Sequence, residues 1–212
     1  MDDKTIWNLI SVGFGWGLAQ ATIAIKSWWQ GRGLLKGLLT ELDDILEQLD
    51  RVELTHARQL QIYALGGIEG SASLPIQNMF FKQYYKDAFS YLSRSQRLSF
   101  QLIHSNLEAL NDENKKLHEF NRVVIDNYVG EGVTNARKED LEKWGIKVKQ
   151  LYKSTMIIKW YIRYHLDHKE IPIYDINGPF HKSYIKYTED LDKLVNSTID
   201  EAKTFNRESF ER

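Results

Sequence analysis

Cysteine is absent from the 212-residue chain, and proline occurs only three times. The lack of cysteine excludes disulfides, thiolate metal ligands and cysteine nucleophiles. A chain with so few helix breakers, rich in Leu, Lys, Glu and Gln, is expected to form long helices. No alternating pattern typical of a β-strand extends over a useful length, so the sequence predicts an all-α fold.

A strong net charge is also missing, because 28 basic and 29 acidic residues leave a net charge of −1. No global field therefore draws the protein to nucleic acid, and contact with RNA or lipid would need a local patch. The chain also lacks a phosphate-binding glycine loop, an H-E-x-x-H motif and a G-x-S-x-G elbow. The sequence predicts neither a cofactor nor a metal site.

The N-terminal segment carries 21 residues without a formal charge between Lys4 and Lys26. As a helix this run is roughly 30 Å long, enough to cross the hydrocarbon core of a bilayer. We therefore expect residues 1–30 to form a membrane helix with its interfacial flank, where Trp28 and Trp29 would join an aromatic belt.

The orientation of this helix follows from its flanks, since basic residues come after it and two aspartates precede it. The expected location is the inner (plasma) membrane, crossed once, with the N-terminus outside and the rest in the cytoplasm. Two alternatives stay open. One is a signal peptide cleaved near Ala19-Gln20-Ala21, against which the acidic start argues, and the other is a helix buried in a soluble protein.

One face of the N-terminal helix is polar or small in side-chain size. At about 100° per residue, this polar stripe comprises Asn8, Ser11, Gly15, Ala19, Thr22 and Lys26. Gly13 and Gly17 lie roughly opposite, with the G-x-x-x-G spacing of closely packed membrane helices. Because unpaired polar groups are costly in lipid, the polar stripe predicts either helix–helix packing or the lining of an oligomeric pore.

Residues 31–212 are expected to form a bundle of about five helices. Leu35 begins an apolar seam in steps of three and four that reaches His56, in a helix expected to end near Leu65. This helix either continues directly from the membrane segment or bends at Gly31 and Gly33. The other helices are expected near residues 80–92, 97–128 and 138–168, and after Pro179.

Two arginine–histidine pairs have four residues between their members, namely Arg163 with His168 and Arg51 with His56. In a site that cleaves RNA, the histidine can act as general acid or base while the arginine neutralises a scissile phosphate. Ordinary alternatives are chance spacing, an ion pair of Arg163 with Asp167, and a core position for His56.

A helical bundle with the Arg-x4-His motif resembles the HEPN superfamily. The added N-terminal apolar helix makes the chain resemble the membrane accessory proteins of type VI-B CRISPR systems. That resemblance implies a divergent HEPN bundle, a homo-oligomeric ring in lipid, and a role in antiviral defence by membrane permeabilisation. It also implies an RNA-guided effector, RNA or both as partners. Tyr164 and Val52 stand where nuclease members carry a small polar residue, which favours a scaffold over an enzyme.

Three functions are therefore expected. The first is an oligomeric pore-forming or membrane-perturbing protein, which is not an enzyme. The second is a membrane-tethered ribonuclease that needs no metal. The third is an adaptor without catalytic activity that brings a cytosolic partner to the membrane.

Overall fold

The structure, a computed structural model, describes residues 3–71, 73–128, 135–171, 173 and 175–205. The helices are α1 (Asp3–Ala64), α2 (Met79–Ala88), a 3-10 helix (Phe89–Tyr91), α3 (Arg94–Tyr128), α4 (Asn135–Asp167) and α5 (Pro179–Ala202). Within these described residues no β-strand occurs, so the all-α prediction is confirmed.

In the helix α1 the N-terminal helix and the first bundle helix form one continuous element, which is the first of the two predicted alternatives. Gly31 and Gly33 lie inside it without ending it. A lone glycine weakens a helix by only about 1 kcal/mol relative to alanine, which the surrounding helix formers offset. Among the described residues, we find no helical stretch whose length and apolar character would suffice for a bilayer crossing.

The chain divides into two compact units. Unit 1 comprises Met1–Glu41 and Met79–Leu92, and unit 2 comprises Leu42–Asn78 and Ser93–Arg212. The helix α1 thus contributes residues to both units.

Unit 1 is formed by α2 and the 3-10 helix against the later part of its α1 segment. Two glycines of α1 allow this contact: a Cβ at Gly31 would lie 2.5 Å from Tyr91 Cδ1, and one at Gly37 would lie 2.2 Å from Phe80 Cζ. Glu41, which is buried, accepts hydrogen bonds from the backbone N–H groups of Phe80 (2.6 Å) and the residue after it (2.8 Å). A carboxylate of α1 therefore caps the N-terminus of α2.

Unit 2 contains the larger core, in which α3 packs against α4 and α4 packs against α5. The apolar seam predicted in α1 is buried along most of its length, since Leu42, Ile45 and Leu49 are fully buried. Phe100 of α3 and Trp144 of α4 are the largest fully buried side chains. The seam prediction is thereby confirmed for this part of α1.

The segment between α1 and α2 begins where Gly66, with φ of +78°, takes the left-handed conformation that closes a helix. Amide side chains of helices bind the backbone of this segment. Asn111 binds both the N–H (2.9 Å) and the carbonyl (3.0 Å) of Ile76, and Asn121 donates to the carbonyl of Glu69 (2.8 Å). These bonds satisfy backbone groups that have no helix partner.

Candidate functional site

The two hydroxyl groups of the polar stripe form hydrogen bonds within the N-terminal helix. Ser11 Oγ donates to the carbonyl of Trp7 (2.7 Å), and Thr22 Oγ1 donates to the carbonyl of Leu18 (2.9 Å). Such bonds to the carbonyl four residues earlier lower the cost of placing a hydroxyl in lipid. These two residues therefore need no partner helix for their hydroxyls. Lys26 is exposed, while the side chain of Asn8 lies outside the described part.

The small residues of this helix have open space around them. A Cβ at Gly13, Gly15 or Gly17 would meet no described atom within 4 Å, and Ala19 is exposed. Among the described residues, then, Gly13 and Gly17 have no packing partner. Contact through these glycines would require a second chain.

The same segment of α1 carries large apolar side chains that are exposed to solvent. Nine of them are more than half exposed, and we call them the apolar band: Trp7, Val12, Phe14, Trp16, Leu18, Ile23, Ile25, Trp28 and Trp29. Monomeric soluble proteins rarely expose a contiguous apolar patch of this kind unless it serves as an interaction surface.

The pair Arg163 and His168 lies at the end of α4, and both side chains are exposed. His168 Nδ1 donates to the carbonyl of Tyr164 (3.3 Å), and the histidine ring stacks on the tyrosine ring with centroids 4.5 Å apart. Arg163 belongs to the last turns of α4, whereas His168 follows the last helical residue, Asp167. The pair therefore lies at one helix end, with both side chains open to solvent.

In the second pair, Arg51 lies at the surface and His56 lies in the interior. Arg51 is exposed and lines a groove of about 480 Å³ next to the segment Ser73–Gln77. His56 is buried, with Nδ1 lying 3.1 Å from Thr155 Oγ1 and Nε2 lying 2.9 Å from Asn114 Oδ1. Burial lowers the pKa of His56 to about 4, against the opposing effect of the Asn114 bond. This geometry is typical of a structural core histidine.

Two buried side chains of α4, those of Lys159 and His165, were not predicted as site residues from the sequence. Lys159 is buried and forms ion pairs with Asp50 (2.6 Å) and with Glu53. His165 is buried edge-on against Phe100, with centroids 4.9 Å apart, and neither ring nitrogen has a partner among the described residues. Neither residue belongs to a motif, so only the apolar periodicity around them could have indicated their burial.

Metal chemistry gains no support, because the described residues contain no group of three acidic or histidine side chains that could hold an ion. The described residues form an all-α protein whose N-terminal helix carries exposed large apolar side chains. No protein-family model matches the chain, and neither does any curated protein or solved structure.

Proposed function

We propose that this protein is a homo-oligomeric membrane-perturbing protein whose N-terminal helix enters lipid. The observation that carries the proposal is the apolar band, in which nine large apolar side chains lie uncovered. Removing a large apolar side chain from water contributes roughly 1.5–3 kcal/mol. Nine such transfers would more than offset the entry of a few polar groups that are bonded to their own helix.

The small residues of the N-terminal helix support the oligomer, and the polar stripe is compatible with it. Ser11 and Thr22 form their own hydrogen bonds, so the stripe can face lipid, another helix or a water-filled lumen. The open space around Gly13 and Gly17 favours close approach of a second α1. A role in prokaryotic antiviral defence, beside an RNA-guided effector, is proposed from the resemblance to the type VI-B accessory proteins alone.

Dye leakage from liposomes, measured with the sizing of the detergent-solubilised particle, tests this function. We expect leakage from a defined oligomer. Replacing two band residues with charges (Phe14→Glu with Trp16→Glu) should abolish it by making lipid entry unfavourable. The matched control is Leu74→Glu with Ile176→Glu, which changes two equally exposed apolar residues of unit 2. A tight bilayer with the wild-type protein contradicts the proposal.

The pore-lining role of the polar stripe has its own test. Asn8→Leu with Thr22→Leu should abolish ion flux while leaving the protein in the membrane. Unchanged flux would exclude these positions from a lumen and leave helix packing as the function of the stripe.

A tethered ribonuclease is a second candidate, favoured by the exposure of Arg163 and His168. Purified protein would then cut single-stranded RNA in the presence of a chelator, and His168→Ala would stop it. His118→Ala, which changes an exposed histidine of α3, is the control. Absence of both leakage and cleavage would favour the adaptor function.

A further inference from the structure

A second surface of unit 1 begins at the last two residues of the apolar band, Trp28 and Trp29, where α2 and the 3-10 helix meet α1. Tyr91 occupies the space beside Gly31, and its hydroxyl lies 3.1 Å from Ser27 Oγ. Tyr91 and its neighbour Phe89 nevertheless remain 41% and 45% exposed. The 3-10 helix thus presents two half-exposed aromatic rings beside the end of the apolar band.

Aromatic and basic side chains continue this surface around α1. The rings of Trp28 and Trp29 meet edge to face with centroids 5.5 Å apart, and the guanidinium of Arg32 lies 4.7 Å from the Trp28 ring centroid. At about 100° per residue, these three residues and Lys36 fall within about 100° of one another, whereas Gly31 lies about 60° beyond Trp28 and about 160° from Trp29. Aromatic rings therefore surround α1 from two sides at one level.

The α1 side of this surface is basic. Lys26, Arg32 and Lys36 are exposed, and no acidic residue occurs between Lys4 and Thr40, whereas α2 carries the exposed Asp87 next to exposed Lys86. Indole and phenol rings beside cations suit the boundary between hydrocarbon and headgroups, because the ring bodies are apolar and their polar tips remain wet. A symmetric contact with a second copy would instead bring these cations together.

We infer that this surface, the collar, binds the headgroup layer of an anionic phospholipid bilayer and sets how deeply the apolar band enters. The collar comprises Lys26, Trp28, Trp29, Arg32, Lys36, Phe89 and Tyr91. The inference rests on the proposed function, since the band must enter lipid for the collar to limit its depth. Each cation near an anionic surface is expected to strengthen binding roughly fivefold.

A charge variant tests the lipid preference. The full chain is floated with vesicles of phosphatidylcholine alone or with added phosphatidylglycerol. Arg32→Gln with Lys36→Gln should weaken binding to the anionic vesicles by on the order of 20-fold and leave binding to the neutral vesicles unchanged. The matched control is Lys182→Gln with Lys186→Gln, an exposed pair of α5 with the same spacing. Equal loss in both variants, or no loss in the collar variant, would overturn the inference.

The depth is tested with single cysteines, which are unique labels because the chain has none. Environment-sensitive dyes are attached at Ser90→Cys in the 3-10 helix, at Val12→Cys in the band and at Ser105→Cys in unit 2. Quenchers in the headgroups should reach the Ser90 label and quenchers in the acyl chains should reach the Val12 label, whereas the Ser105 label should stay in water. If the Val12 label enters lipid but the Ser90 label stays in water, the collar is wrong and the proposed function stands. If the Val12 label stays in water, the proposed function fails instead.

Discussion

Two buried histidines show how differently one residue type is accommodated in unit 2. His56 has a polar neighbour at each ring nitrogen, whereas His165 packs against Phe100 without a partner for either nitrogen among the described residues. Burial is the main cause that lowers the pKa of both side chains to about 4, and the charge of Lys169 adds to the effect at His165. Both histidines therefore favour the folded state only while they are neutral.

The stability of unit 2 should consequently fall in acid. Above about pH 6.5 both rings are neutral in the folded and the unfolded chain. Between about pH 6.5 and pH 4 the unfolded chain binds protons that the folded protein excludes, so the free energy of unfolding falls as the pH falls. We expect a loss of roughly 1–3 kcal/mol per histidine, measured by urea unfolding across this range. His165→Leu should flatten the slope, whereas His118→Gln on the surface of α3 should not; equal slopes in all three proteins would contradict this prediction.

Glycines of α1 provide a second comparison between single residues. Gly31→Ala and Gly37→Ala would each place a methyl group within 2.5 Å of an aromatic ring of Tyr91 or Phe80. We expect Gly31→Ala to weaken the attachment of the 3-10 helix and Gly37→Ala that of α2, each by roughly 1–3 kcal/mol, seen as faster amide exchange across Phe89–Tyr91 and Met79–Ala88 respectively. Gly33→Ala meets no atom within 4 Å and should stabilise α1 by up to about 1 kcal/mol. Unchanged exchange in Gly37→Ala would show that α2 adapts without cost.

Among the helices, α1 shows most clearly how far the sequence determines the fold. The period of its apolar residues predicted the buried seam in unit 2, because packing follows directly from helical spacing. The same reasoning left open a bend at Gly31 and Gly33 beside a continuous helix, because glycine is a weak helix former. It missed that Gly31 and Gly37 make room for aromatic rings that lie more than 40 residues away in the chain. Such long-range contacts leave no periodic signal in one sequence.

The candidate sites likewise separate into features that the sequence indicates and features that depend on long-range contacts. The composition of residues 5–25 predicted a helix that crosses a membrane, and no helix among the described residues has the length and apolar character for that. The nine exposed side chains of the apolar band show only that this part of α1 is apolar and uncovered. Spacing alone, by contrast, could not distinguish the buried His56 from the exposed His168. His56 is buried because its face of α1 meets Thr155 of α4, a contact that the spacing does not encode. The function of either pair remains a prediction.

The short helix α2 depends on a residue outside itself. Glu41 accepts the N–H groups of Phe80 and Phe81, which otherwise lack partners at a helix start. Glu41→Ala should therefore weaken α2 by roughly 1–2 kcal/mol, measured as faster exchange of these two amides. Glu47→Ala, an exposed acidic residue of α1, is the control. Equal protection in both variants would show that the cap contributes nothing.

At the scale of the whole molecule, the exposed apolar band should determine whether the protein partitions into the membrane or into the aqueous phase. We expect the wild-type protein to remain in the membrane pellet after a high-salt wash, because salt screens charges but does not weaken apolar burial. Phe14→Glu with Trp16→Glu should move the protein to the supernatant, and Leu74→Glu with Ile176→Glu should not. Wild-type protein in the supernatant would contradict membrane entry.

The segment between α1 and α2 has a consequence for how this sequence could change over time. Asn111 and Asn121 hold the segment through its backbone groups at Ile76 and Glu69, which every residue type other than proline supplies in full. As far as these three bonds are concerned, mutations at Ile76 and Glu69 should be tolerated, whereas Asn111 can be replaced by neither aspartate nor leucine without losing a donor. Related sequences are therefore expected to vary in the connecting segment while they keep the amides of the helix beside it.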